Sequence, residues 1–240
     1  FIVVFACVFS DFVAQYDPTQ TNAKMSLSAP SELIIFGCDM MGRDVLSRII
    51  HGARISLAVG IGSTVLGGLL GTIIGLMCGY FLGWFDLIIQ RIIDMMQALP
   101  LLVMALVMAA SLGPSLENTI IAISIPLVPQ VARVIRSNVL SLREMPFVEA
   151  ARSVGMSNGR IAFRHILPNI MAPVIVISAA NFAAAILIES GLSFLGIGAQ
   201  PPMSSWGAMI KAHYSDIILG KAFLALIPGL CIMTVVMAFM

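Results

Sequence analysis

The sequence predicts an all-α integral membrane protein, and three observations carry that prediction. Hydrophobic residues make up 59% of the chain and charged residues 10%, with a mean hydropathy of +1.02, whereas soluble domains carry about 25% charged residues. The 31 residues from Ile55 to Phe85 hold no charge, and about 20 apolar residues already cross a hydrocarbon core as a helix. The polar residues are gathered into short islands between apolar segments, as loops outside a bilayer are. A net charge of +1 selects no partner; in such a chain the positions of the charges are informative. Cys7, Cys78 and Cys231 lie in apolar runs and Cys38 in a polar loop, so neither a disulfide framework nor a metal spacing is visible.

In chain order, residues 1–13 are expected to be the outer end of a first span. Only ten residues precede Asp11, too few to cross, so the chain is expected to be a fragment whose first helix starts earlier. Residues 14–54 follow as a loop outside the bilayer. From Asp39 to Gly52, Val45, Leu46, Ile49 and Ile50 share one helical face, while Arg43, Asp44, Ser47, Arg48 and His51 share the other. That pattern predicts an amphipathic helix along the interface, with Arg43 and Arg48 reaching lipid headgroups.

Ile55 to Phe85 is the clearest span. Gly67, Gly71, Gly75, Gly79 and Gly83 recur every fourth residue in it. The first three predict close packing against another helix, and Gly79 and Gly83 are expected only to soften its end. Asp86, Arg91 and Asp94 bracket a polar turn before a span that runs to Leu112 with a kink at Pro100. Thr119 to Ala132 is about 21 Å of helix, short of the roughly 30 Å core, so its inner end includes Arg133 and Arg136. Pro126 and Pro129 are expected to interrupt its hydrogen-bond ladder, which marks either the wall of a pathway or a kinked helix buried among neighbours.

Ile170 to about Ile188 forms the next span, and Glu189 follows it in apolar sequence. If the span ends near Ser190 the carboxylate is interfacial; if it runs to Gly198 the carboxylate is deep and functional by default. Trp206 is placed like an interface anchor, His213 like a solvated loop residue, and Ala222 to Met240 forms the last span. Six spans result, with five in residues 55–240. The longest polar island, Met145 to Asn169, reads as two short helices about a glycine corner. Pro146 opens the first, Phe147, Ala151 and Val154 share one face, and Gly155 stops it. Ser157 caps the second, until Pro168 moves Leu167 out of the helical region. Six arginines crowd Arg133 to Arg164, and with Arg91 they set seven basic residues on the island's side against six on the other. Their density near short loops places the loop 141–168 in the cytoplasm.

The chain carries no GxxxxGK[ST] phosphate loop, HExxH pair or GxSxG elbow. Glu189 alone is ionisable within a span, too little for a proton- or ion-coupled transporter. Enzyme chemistry is therefore not predicted, and the island is the elaborate polar feature, as a docking surface would be.

Glu149-Ala150-Ala151, Gly155 four residues after Ala151, and Ile166-Leu167-Pro168 resemble the EAA motif of permease subunits in bacterial ABC importers. Gly42-Arg43-Asp44-Val45-Leu46-Ser47-Arg48, Gly52-Ala53-Arg54-Ile55-Ser56-Leu57, Leu192-Ser193-Phe194-Leu195-Gly196, Gln200-Pro201-Pro202 and Ser205-Trp206-Gly207 resemble the C-type permease subunit of the dipeptide, oligopeptide and nickel importers. The resemblance spans residues 36 to 240. One departure is Cys38, where the family often has threonine in a Gly-Thr-Asp run. The resemblance implies a six-helix type I importer permease in the bacterial inner membrane, with a cytoplasmic EAA coupling helix. It also implies a homologous second permease, two ABC ATPases that bind ATP and magnesium, and an extracytoplasmic solute-binding protein, with no nucleic-acid partner and no cofactor or catalysis in this chain. Short peptides are the implied cargo, with nickel chelates or glutathione-type compounds as alternatives and a non-energised channel or scaffold as the reading from another class. On that resemblance Glu149, Ala150, Ala151, Arg152, Ser153, Gly155, Leu167 and Pro168 couple the chain to an ATPase. Pro126, Pro129 and Glu189 are expected along the pathway.

Overall fold

The computed structural model describes residues 5, 7, 9–32, 34–218 and 220–240, and among them regular structure is helical apart from one bridge between Cys38 and Asp44. Eight helices organise it: α1 Val45–Phe81, α2 Gly83–Gln97, α3 Leu101–Leu112, α4 Leu116–Arg143, α5 Pro146–Ser153, α6 Met171–Leu195, α7 Trp206–His213 and α8 Phe223–Phe239. Each of α1, α4 and α6 is long and apolar enough to cross a membrane, and α2 with α3 makes a fourth span if that bent pair counts as one. The 17 residues of α8 give about 25 Å of helix. The expected first span over residues 1–13 lies largely outside the described residues; within it a helical turn covers Ser10–Val13.

The packing of α1 on α4 sets the frame. An added Cβ on Gly67 would stand 2.7 Å from the Ser124 carbonyl oxygen, on Gly71 2.6 Å from Val131 Cβ, on Gly75 2.9 Å from Ile135 Cβ, and on Gly79 2.8 Å from Val139 Cβ. Four successive turns of α1 therefore admit no side chain, and the backbones meet. Gly79 belongs to this seam, contrary to the sequence expectation. Gly83 does not: it has a φ of +68° and open space around it.

The helix expected to lie along the interface and end near Gly52 is instead the start of α1, which runs unbroken for 37 residues. Asp44 caps it, its Oδ2 accepting from the Ser47 amide at 2.7 Å. At 1.5 Å per residue α1 is about 55 Å long, so its first turns stand outside a 30 Å core and their polar face packs against protein. Arg43 and Arg48 do not reach headgroups. Arg43 Nε donates to Asp39 Oδ2 at 2.7 Å, Arg48 lies 3.6 Å from the same oxygen, and Asp39 is 1% exposed. Trp206, expected at the lipid interface, is buried beside them and donates from Nε1 to the Ile49 carbonyl at 3.0 Å. His213, expected in solvent, is buried with its Nδ1 2.8 Å from Asp216 Oδ2. Two segments cause these corrections: the loop before α1 supplies Asp39 to Arg43 and Arg48, and the segment 196–217 folds back over the outer end of α1, where Ser204 and Trp206 bond the Arg48 and Ile49 carbonyls.

The stretch expected as a polar turn around Asp86, Arg91 and Asp94 is helix α2. Arg136 donates from Nε to Asp86 Oδ1 at 2.6 Å and again to Oδ2, and Arg133 donates to Asp94 Oδ1 at 2.7 Å. These pairs hold α2 on the inner part of α4. The expected kink at Pro100 is a break, with α2 and α3 meeting at 91°; proline disfavours helical φ/ψ in the residue before it. Conversely, Pro126 and Pro129 do not interrupt α4, which continues through both for 28 residues. Neighbouring helices enclose that region, so packing holds the helix where two ladder bonds are missing.

Gly71→Leu should lower stability by ~3 kcal/mol or more, at or beyond the upper end of overpacking costs, because its Cβ would overlap Val131 Cβ and Cγ1 and approach the Val128 carbonyl oxygen. Gly68→Ala, where a Cβ meets only Ser178 Oγ at 3.8 Å, should be tolerated. Thermal unfolding of the two variants in detergent checks the contrast.

Candidate functional site

The island after α4 is built upon the inner end of α1. Pro146 at the first turn opens α5, and Met145 before it is extended, the conformation that a following proline favours. Val148 and Ala151 are the buried side of α5, packed with Leu76, Tyr80, Val139, Ile161 and Ile166. The inward face is therefore Val148 and Ala151, one turn apart, rather than Phe147, Ala151 and Val154; Phe147 and Val154 are exposed. The small Ala151 lets α5 lie close on the core, while Glu149, Ala150, Arg152 and Ser153 point outward and are exposed.

Gly155 has a φ of +78°, and the Met156 amide reaches back to the Ala151 carbonyl at 3.1 Å. This is the left-handed closure that glycine permits without Cβ strain. A Cβ there would meet nothing within 4 Å, so the requirement for glycine is conformational rather than steric. Beyond it, Asn158–Ile161 is helical without a side-chain cap from Ser157. Leu167 stays helical, at φ −52° and ψ −46°, and is not displaced by Pro168. A π-helical turn over Ala162–Ile166 leads into a helical turn, Leu167–Asn169. The wider turn accommodates a proline that removes one donor and would crowd a regular ladder.

Tyr80, unremarked in the sequence, fastens this assembly. Its hydroxyl donates to Asn158 Oδ1 at 2.9 Å, and the Arg152 guanidinium lies over its ring at 5.8 Å. A tyrosine closing an apolar run is the available signal, but nothing local says which loop returns to it.

The residues expected along a pathway have separate surroundings. Pro126 borders a cavity of about 410 Å³ at the α2–α3 break with Gln97, Pro100 and Gln130; Pro129 is buried in α4. Glu189 lies within α6, 1% exposed, and accepts from Ser56 Oγ at 3.0 Å and Ser193 Oγ at 2.7 Å. It is deep in the protein, tying α1 to α6. A larger cavity, about 460 Å³, opens between α1 and α6. Among the described residues no group of three or more His, Cys, Asp or Glu is placed to hold a metal.

Comparison with known proteins adds the following. Residues 71–240 match the family described as binding-protein-dependent transport system inner membrane component. The chain is 43% identical over 236 residues to the dipeptide transport system permease protein DppC of Alkalihalophilus pseudofirmus, covering 98% of this chain and 77% of that one. It is 38% identical to the glutathione transport system permease protein GsiD of Escherichia coli, covering 99% and 78%. In fold it resembles a chain of the MetNI methionine ABC transporter in inward-facing conformations, with a TM-score of 0.60, 14% identity, and coverage of 81% and 97%.

Gly155→Val should cost the island ~1–2 kcal/mol, the usual penalty for an L residue in left-handed backbone, and Gly155→Asn should cost less. Limited proteolysis of the loop 141–168 in membrane vesicles checks this, with faster cleavage expected for the valine variant.

Proposed function

We infer that this chain, which belongs to the family of binding-protein-dependent transport system inner membrane components, is the permease subunit of an ABC importer for short peptides. It is a multi-pass inner-membrane protein with the helical fold of type I importer permeases. The partners this reading requires are a homologous second permease, two ATPase subunits and an extracytoplasmic binding protein. ATP and magnesium belong to the ATPases.

The observation that carries the mechanism is the two-sided character of α5. Its inner side is fixed by Val148 and Ala151 to the core that also receives α1 and α4, and its outer side exposes Glu149, Ala150, Arg152 and Ser153. A short rigid helix exposed in this way is suited to a groove on an ATPase, with Ala150 permitting close approach and Glu149 offering a charge to a basic partner. When the ATPases close, the helix moves as a unit and displaces the inner ends of α1 and α4, to which it is packed. Leu167 and Pro168 lie where the island rejoins the membrane through the π-helical turn, so they transmit the same displacement toward α6.

Peptide cargo rests on the relatives named for dipeptide transport. A glutathione-type cargo is the second reading, favoured by the GsiD relative; glutathione is itself a modified tripeptide. A channel or scaffold without energised partners would co-purify without ATPase subunits.

In the reconstituted complex, Glu149→Lys should leave ATP hydrolysis measurable and reduce peptide uptake at least tenfold, because reversing the charge opposes docking without touching the fold. Uptake equal to the parent's would overturn the assignment of α5. Gentle detergent extraction should recover the chain with stoichiometric ATPase subunits.

A further inference from the structure

Tyr80 is the last residue but one of α1 and is 4% exposed. Its side chain meets the island on both sides of Gly155. Three residues before the glycine, the Arg152 guanidinium lies over the Tyr80 ring at 5.8 Å; three residues after it, Asn158 Oδ1 accepts from the Tyr80 hydroxyl at 2.9 Å. Among the described residues no other hydrogen bond joins α1 to residues 145–169. Helix α1 and the island also share an apolar cluster that includes Leu76, Val148, Ala151 and Ile161. Apolar burial is non-directional: it keeps α5 on the core and leaves the angle of the corner free. Gly155, at a φ of +78° with open space around it, does not fix that angle either, because glycine passes between backbone conformations at little cost. The limb beyond it lacks a side-chain cap from Ser157.

We propose that Tyr80 is a positioning residue for energy coupling: it holds the corner of the island at a fixed angle to α1, so that displacement of α5 moves α1 and α4 and is not lost as bending at Gly155. The proposal rests on the ABC-importer reading above and brings a residue from outside the island into its action. Tyr80 follows Gly79, the innermost glycine of the seam, where an added Cβ would stand 2.8 Å from Val139 Cβ. A push on the Tyr80 side chain therefore reaches both helices. Arg152 belongs to α5, the limb that an ATPase would move, and Asn158 to the limb that leads through the π-helical turn toward α6. Tyrosine supplies both a ring face for a cation and a donor for an amide oxygen, whereas phenylalanine supplies the face alone. One hydrogen bond is a small share of the stability of a fold, yet it changes the population of a bent corner several-fold. Its loss therefore falls on coupling and not on folding.

The test uses the whole importer in proteoliposomes, with ATPases and binding protein, and measures cargo accumulated per ATP hydrolysed. Trialanine and glutathione serve as probes, one for each cargo reading. This ratio, unlike uptake alone, does not fall when less protein folds or assembles. Tyr80→Phe, which keeps the ring beneath Arg152, and Asn158→Ala should each lower the ratio at least threefold. The double variant should lower it no further than either change alone, since both remove the same bond. Asn158→Asp, which keeps the acceptor, should retain the parent's ratio. A parental ratio in Tyr80→Phe, losses that multiply in the double variant, or a loss in Asn158→Asp equal to that in Asn158→Ala overturns the proposal. Glu149→Lys in the same assay separates it from the reading it rests on. If that variant lowers the ratio and Tyr80→Phe does not, the role of Tyr80 alone falls; if neither does, the coupling role of α5 falls and takes that of Tyr80 with it. A parent importer that accumulates neither probe overturns the importer reading for these cargoes, and the proposal with it.

Discussion

Everything in this fold depends on the direct contact of two helix backbones. Within a bilayer, lipid tails are as apolar as leucine, so helices gain little by merely hiding apolar side chains from their surroundings. Close van der Waals contact is what remains, and glycine brings backbones nearest. Gly67, Gly71, Gly75 and Gly79 of α1 meet Ser124, Val131, Ile135 and Val139 of α4 along four turns. With that seam fixed, the positions of Tyr80 at the inner end of α1 and of Arg133 and Arg136 on α4 are fixed too. The island then has a floor, and α2 has the partners for its two aspartates.

The outer end is held by different forces. There α1 projects beyond an apolar core, and polar groups take over: Asp39 gathers Arg43 and approaches Arg48, Trp206 bonds the Ile49 carbonyl, and Glu189 joins Ser56 to Ser193. Buried charges demand such partners, because removing one leaves the other uncompensated. The result is a close-packed apolar seam toward the middle and inner side, and a polar lock toward the outer. Cargo passage requires relative movement of such elements, and the groove between α1 and α6 lies where neither fastening fills the space.

The island illustrates how function is grafted on this frame. Its fixed half, Val148 and Ala151, belongs to the core, while Glu149, Ala150, Arg152 and Ser153 form an exposed half. Gly155 and the π-helical turn give the corner its shape.

The sequence by itself determined the helical membrane class, the place of the main spans, the glycine seam at Gly67, Gly71 and Gly75, and the short helix ending at Gly155. Each of these follows from local chemistry: hydropathy over about 20 residues, a four-residue spacing, and the conformational freedom of glycine. Only the tertiary structure decided that α1 is continuous from Val45, that α4 runs through Pro126 and Pro129, and that α2 meets α3 at 91°. It also decided that Arg43, Arg48, Trp206 and His213 face protein and not lipid or water, and that Glu189 is enclosed by serines. The physical reason is common to all of them. Whether a proline breaks a helix, or a polar side chain is solvated, depends on which segment packs against it: Trp206 and Glu189 find partners more than a hundred residues away, while Arg43 and His213 have a carboxylate three or four residues away that the fold buries with them.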